Sequence, residues 1–175
     1  MQGMARAMFD LKHCSMQAPD TMQRVMATHL ETGQEAAPPP QHWHQLLPSL
    51  ALSPSQQQDC WELWGAYERL MSRVLTERAH INATLAAHGR SAPPSQALLS
   101  LNVPVECAVL ESLMRNLRQE KSLALMLRGF MFAQVCTLLQ SARMMVHSYP
   151  FFPNVTAIVA ALVEDMRATG AAPDA

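Results

Sequence analysis

Glycine is scarce: six residues in 175, and no two of them close together. A phosphate or dinucleotide cradle needs several glycines within a few positions so that backbone N–H groups can approach the anion, so that class of site is excluded. An excess of one charge is also lacking, with 13 Lys and Arg against 14 Asp and Glu, which leaves no net field to draw in nucleic acid or an anionic membrane. The densest basic segment, Arg115-x-x-Arg118-x-x-Lys121, is interrupted by Glu120, so no direct sequence-specific DNA binding by this chain is expected. No apolar run approaches the ~18–20 residues that span a bilayer, and no membrane partner is expected. Asp10 and Lys12 fall where a secretory apolar stretch would be unbroken, which argues against secretion. Cys14, Cys60, Cys107 and Cys136 contain no CxxC pair, and read as buried apolar thiols in a reducing compartment rather than as metal ligands. Neither G-x-S-x-G nor H-E-x-x-H occurs, and no spacing groups a nucleophile with a base and an orienting residue. The expectation is a protein that is not an enzyme, with no cofactor and no metal.

Strand-period segments of useful length are absent too. What is present is helical periodicity, and the fold class expected is all-α: a bundle of about four to five helices, with a long heptad-patterned helix pair and an aromatic-proline corner. Residues 1–42 are expected to form a poorly ordered N-terminal segment with a short helix near 21–31, capped by Asp20 and stopped by Gly33. Residues 43–169 form the helical domain, and 170–175 a tail. From Gln34 to Ser53 the prolines at 38, 39, 40 and 48 make the chain linker-like. His42-Trp43-His44 within it reads as a loop in which the tryptophan packs and the histidines are solvated.

Ser53-Pro54 opens the longest helix by an N-cap serine and a proline at the first helical position, and Gly89 ends it. Cys60, Trp64, Tyr67, Met71, Val74, Ile81 and Leu85 recur at heptad spacing, and Arg78 is the one position that breaks the stripe. A seam about 50 Å long needs a partner of equal length, within the chain or in a second copy. After a proline-containing connection, Asn102 and Pro104 start the next helix, antiparallel to the first. Its expected seam is Glu106, Leu110, Leu113, Leu117, Glu120, Ala124, Leu127 and Met131, flanked by Cys107, Met114 and Leu123. Thr137-x-x-Gln140 is a capping box, which places a break or kink between Phe130 and Thr137 and a new helix from Leu138 to Ser148, with continuous helix through this point as the alternative.

The corner Ser148-Tyr149-Pro150-Phe151-Phe152-Pro153 follows. Two prolines prevent the segment from being helical, and its rings are expected to be a buried wedge. Val155, Ile158, Val159, Leu162, Val163 and Met166 then give a one-sided amphipathic helix ended by Gly170. Thirteen methionines suit either irregular packing between helices or an adaptable partner surface, and packing is the simpler reading.

Two blocks carry a resemblance. LSPSQQQDCWELWGAYERLMSRVLTERAHINATL and LRQEKSLALMLRGFMFAQVCTLLQSARMMVHSYPFFPNVTAIVAAL together resemble the C-terminal helical region that follows the zipper in green-algal basic-leucine-zipper (bZIP) transcription factors. That region is distantly similar to the Delay-of-Germination-type domain of plant TGA factors. Leu113, Asn116, Leu117, Arg118 and Glu120 match one motif; Gln140, Ala142, Arg143, Ser148, Tyr149, Pro150, Pro153 and Asn154 match Q-x-A-R and S-Y-P-x-x-P-(D/N). The family's L-T-P reads Cys136-Thr137-Leu138 here, and no basic region precedes Trp43. The resemblance implies a non-enzymatic regulatory or protein-interaction module in transcription regulation, acting in the nucleus. Its partners would be proteins: a second copy of the chain or bZIP-type factors. The residues it singles out as motif or partner surface are Arg118, Gln140, Arg143, Tyr149, Pro150, Phe151, Phe152 and Pro153. Without the resemblance, the alternatives are a helical carrier of a ligand or metal, using His42, His44, His80, His88 or His147, and a general cytoplasmic scaffold without a transcriptional role.

Overall fold

Several helix starts in this chain are set by side chains that take up the otherwise unpaired N–H groups of a first turn. In the computed structural model, which describes residues 24–39, 41–90 and 103–170, three such starts are realised. Ser53 and Gln56 close a capping box: Ser53 Oγ accepts from the Gln56 N–H at 3.2 Å, and Gln56 Oε1 accepts from the Ser53 N–H at 2.9 Å. Thr137 and Gln140 close the expected second box. Asn154 accepts from the Ala157 N–H. The helices are α1 (His42–Leu50), α2 (Pro54–Arg90), α3 (Val103–Phe130), a π-helical extension of it (Met131–Val135), α4 (Leu138–His147) and α5 (Val155–Thr169). The described residues hold no strand, only an antiparallel bridge between Thr28 and Glu35, and the all-α class stands.

The chain divides into two units, Met1–Trp64 with Leu125–Ala175, and Gly65–Ala124. The first contains the larger core. There α1 packs on both α4 and α5, burying Trp43, Leu46 and Leu50. All six apolar positions expected of α5 are buried, and so is Ala161, which widens the stripe. The first turns of α2 lie against the end of α3 and its extension, Gln56 on the Val135 carbonyl and Cys60 on Met131, in the expected antiparallel sense. The two capping boxes meet at this point. Each glutamine, with its Oε1 already holding its own cap N–H, donates its amide to the other's Oε1 at 2.9 Å. The second N–H of Gln56 goes to the Val135 carbonyl, and that of Gln140 to the Ala51 carbonyl at 3.2 Å. Both amides are thus fully paired.

In the second unit the α2 stripe is the least exposed face of the helix, as expected, and Arg78 lies on it. Its guanidinium donates to Asn116 Oδ1 at 3.0 Å and pairs with Glu120, while Asn116 Nδ2 donates to the Val74 carbonyl and to Glu77. Asn116 is fully buried. Leu127 and Met131 of the expected α3 seam are buried, but its earlier part is corrected. The helix turns Asn116 and Leu123 inward and leaves Leu110 and Leu117 exposed, because a buried amide with three partners fixes the rotation that apolar content alone would not choose.

Three further expectations change. The linker-like stretch contains α1, with Pro48 inside it, because burying Trp43, Leu46 and Leu50 outweighs the proline. The helix expected near 21–31 reaches only to residue 26; the chain then turns, and Gly33 at φ 67° serves that turn rather than a helix stop. Gly89 does not end α2, which continues to Arg90. Cys14, Asp20, Asn102, the connection at 91–101 and the tail at 171–175 lie outside the described residues.

The corner is buried unevenly. Phe151 is 6 % exposed and Pro153 is buried, Phe152 is half-buried, and Tyr149 is exposed, contrary to the expectation of a uniformly buried wedge. Replacing Phe151 with Ala should therefore cost about 3–5 kcal/mol in chemical denaturation, and Phe152→Ala clearly less; equal losses would contradict this assignment.

Candidate functional site

α4 is built the wrong way round for a helix at the edge of a core. Its inner face presents Gln140, Ser141, Met144 and Ser148, all buried. The Ser141 and Ser148 hydroxyls have no hydrogen-bond partner. Its outer face presents Leu138, Leu139, Met145 and Val146, with Leu139 61 % and Val146 69 % exposed. Exposed Tyr149 follows at the C-terminal end. Leu138 and Met145, and likewise Leu139 and Val146, are seven residues apart, so two turns of helix carry one continuous apolar strip. Arg143 and His147 border it; Arg143 makes only a long contact to the Ser49 carbonyl, at 3.5 Å, and His147 is exposed.

The rotation of α4 follows from its cap. Gln140 must point inward to meet Gln56 and the Ala51 carbonyl, and one helical turn later Met144 and then Ser148 follow it. The C-terminal end is fixed by the corner. The Ser148 carbonyl accepts from His42 Nε2 at 3.0 Å and from the Phe151 N–H at 2.8 Å. Phe151 is met edge-on by the rings of His29 and His42, each with its centroid 5.3 Å away. The turn at 27–36 closes over the corner, with the Leu30 N–H on the Pro150 carbonyl at 2.8 Å and the Tyr149 hydroxyl on Glu31 at 2.7 Å. The bond to that carboxylate pushes the Tyr149 pKa up.

Of the eight residues singled out by sequence, seven lie in α4 and the corner, and Arg118 is exposed in the other unit. Gln140, Phe151 and Pro153 are structural, whereas Arg143 and Tyr149 border the exposed strip. Leu138, Leu139, Met145 and Val146 were missed. The available signal was the polar run Gln140, Ser141 and Ser148 on one face, which the assumption of apolar residues inside hides.

No group of three or more His, Cys, Asp or Glu side chains is placed to hold a metal among the described residues. His42 is not solvated as expected, since it serves the corner. His44 has carboxylates at both ring nitrogens, Asp165 at 2.8 Å from Nδ1 and Glu164 at 3.5 Å from Nε2. Comparison of the chain with protein-family models, with curated proteins and with solved structures finds no match.

The described cysteines differ in burial. Burial, with Cys136 and Asp59 adding to it, pushes the Cys60 thiol up to about 12, and burial pushes Cys136 up to about 11. Both remain protonated at pH 8, and the thiolate is the nucleophile. Iodoacetamide at pH 8, mapped by mass spectrometry, should therefore modify exposed Cys107 and spare Cys60 and Cys136 until denaturant is added. Equal labelling of all three in the native protein would contradict the burial described.

Proposed function

We propose that the chain is a non-enzymatic interaction module whose docking face is the outer strip of α4, continued by Tyr149. The observation that carries this reading is the inversion of α4, polar inside and apolar outside. Apolar surface left in water forgoes about 25 cal/mol per Å² of stabilisation, and a contiguous strip of it marks a site that another surface covers. Residues repeating at seven-residue spacing on a short helix fit the way amphipathic helices dock in grooves or against one another. Arg143 and His147 on its border suit a partner with acidic residues beside its own apolar stripe.

The resemblance to the post-zipper region of bZIP factors adds the class of process: transcription regulation in the nucleus, with bZIP-type factors as partners. It rests on Q-x-A-R and S-Y-P-F-F-P, the same segment that forms α4 and the corner. Some of those residues have an evident structural use here, Gln140 in its pairing with Gln56 and Phe151 in the core, and Tyr149 stands beside the strip.

The test is the double substitution Leu139→Asp with Val146→Asp. Both side chains are exposed, so the melting temperature should stay within the small range of surface changes, about 0.5 kcal/mol in stability. Partners recovered with the wild-type chain from nuclear extract should be lost with the variant. An unchanged partner set, with the variant folded, would remove α4 as the docking face.

A further inference from the structure

The second unit carries an apolar strip of its own, distinct from that on α4. Leu110, Met114 and Leu117 recur at i, i+4 and i+7 on α3, with Leu110 51 % and Met114 53 % exposed. This is the face that apolar content would have turned inward. The buried face of α3, through Asn116 and Leu123, is rotated from it by one residue, about 100° around the helix. The network of Asn116 with Val74, Glu77 and Arg78 holds α3 in that rotation and so keeps Leu110, Met114 and Leu117 outward.

One edge of this strip is marked by Glu111 and Arg118, seven residues apart, both exposed and neither ion-paired among the described residues. When two copies of a helix pack antiparallel about a twofold axis, the same edge of each meets the other, and residues near one end face residues near the other. Glu111 then faces the second copy's Arg118 and Arg118 the second copy's Glu111, while Met114 layers on the second copy's Leu117. In a parallel pair that edge would instead meet the opposite one, where Leu113 and Glu120 lie, and Glu120 is already held by Arg78. Opposite charges spaced symmetrically about an apolar centre are self-complementary only in the antiparallel arrangement.

We infer that α3 is a self-association surface: two copies of the chain dock through Leu110, Met114 and Leu117 in antiparallel register, fixed by reciprocal Glu111–Arg118 pairs. Three apolar side chains per copy make a weak, concentration-dependent dimer, with dissociation in the micromolar range on the order of 10 µM.

The experiment is sedimentation equilibrium of the full chain from about 1 to 200 µM, with four variants compared at low salt. Arg118→Glu should weaken the dimer at least about tenfold by setting like charges opposite one another, and Glu111→Arg should do the same. The double exchange Glu111→Arg with Arg118→Glu should restore it, because the reciprocal pairs re-form with reversed sign. Leu139→Asp with Val146→Asp should leave the dimer intact, so that loss of the α4 docking reading and loss of this one are distinguishable. A wild-type chain that stays monomeric at 200 µM would overturn the inference. So would a dimer indifferent to Arg118→Glu, a double exchange that fails to restore it, or a dimer abolished by the α4 substitutions.

Discussion

Two glutamine amides, Gln56 and Gln140, tie together the first turns of two helices 84 residues apart in the chain. Each amide oxygen holds the N–H of its own cap residue and the amide of the other glutamine, and each amide nitrogen finds a backbone carbonyl for its remaining proton. A part-buried, fully satisfied polar pair adds modest net stability, on the order of 1 kcal/mol per bond, but leaving a buried member without its partner costs about 1–3 kcal/mol. The arrangement is therefore a strong constraint on geometry even where its net stabilisation is small. It fixes how far α2 and α4 are advanced along their axes and how each is rotated.

The rotation of α4 is the consequence that reaches function. With Gln140 inward, Ser141, Met144 and Ser148 must share the buried side, and Leu138, Leu139, Met145 and Val146 have nowhere to go but outward. The second unit repeats the logic with different residues. There Asn116 takes the interior of α3, and Leu110, Met114 and Leu117 are displaced to the surface. In both helices a buried amide decides the face, and the apolar residues it displaces become the candidate contact surfaces.

The same feature explains which parts of the fold were legible in the sequence. Capping residues are local, so the starts of α2 and α4 and the break before Thr137 could be read from a few positions. α5 has a single apolar stripe with no polar residue competing for the interior, and its buried set was legible except for Ala161. α1 was not, because Pro48 and the neighbouring prolines signal a linker and only tertiary burial of Trp43, Leu46 and Leu50 overrides them. The seam of α3 and the exposed face of α4 were read by apolar content, which fails where an amide with partners on another helix is worth more inside than a leucine. Gln140 was visible as the third residue of a capping box, but its meeting with Gln56 depends on how α2 and α4 pack. The uneven burial of the corner was hidden for the same reason, since it depends on His29, His42 and Glu31 arriving from earlier in the chain.

The dependence of this architecture on the glutamine pair is measured most directly by a double-mutant cycle in chemical denaturation, with Gln56→Ala, Gln140→Ala and the two combined. Each single change strands the other amide, so the combined loss should fall short of the sum of the single losses by about 1–2 kcal/mol, within the range found for buried polar pairs in contact. Losses that add to within about 0.3 kcal/mol would show that the two amides act independently, and would contradict a fold organised around their meeting.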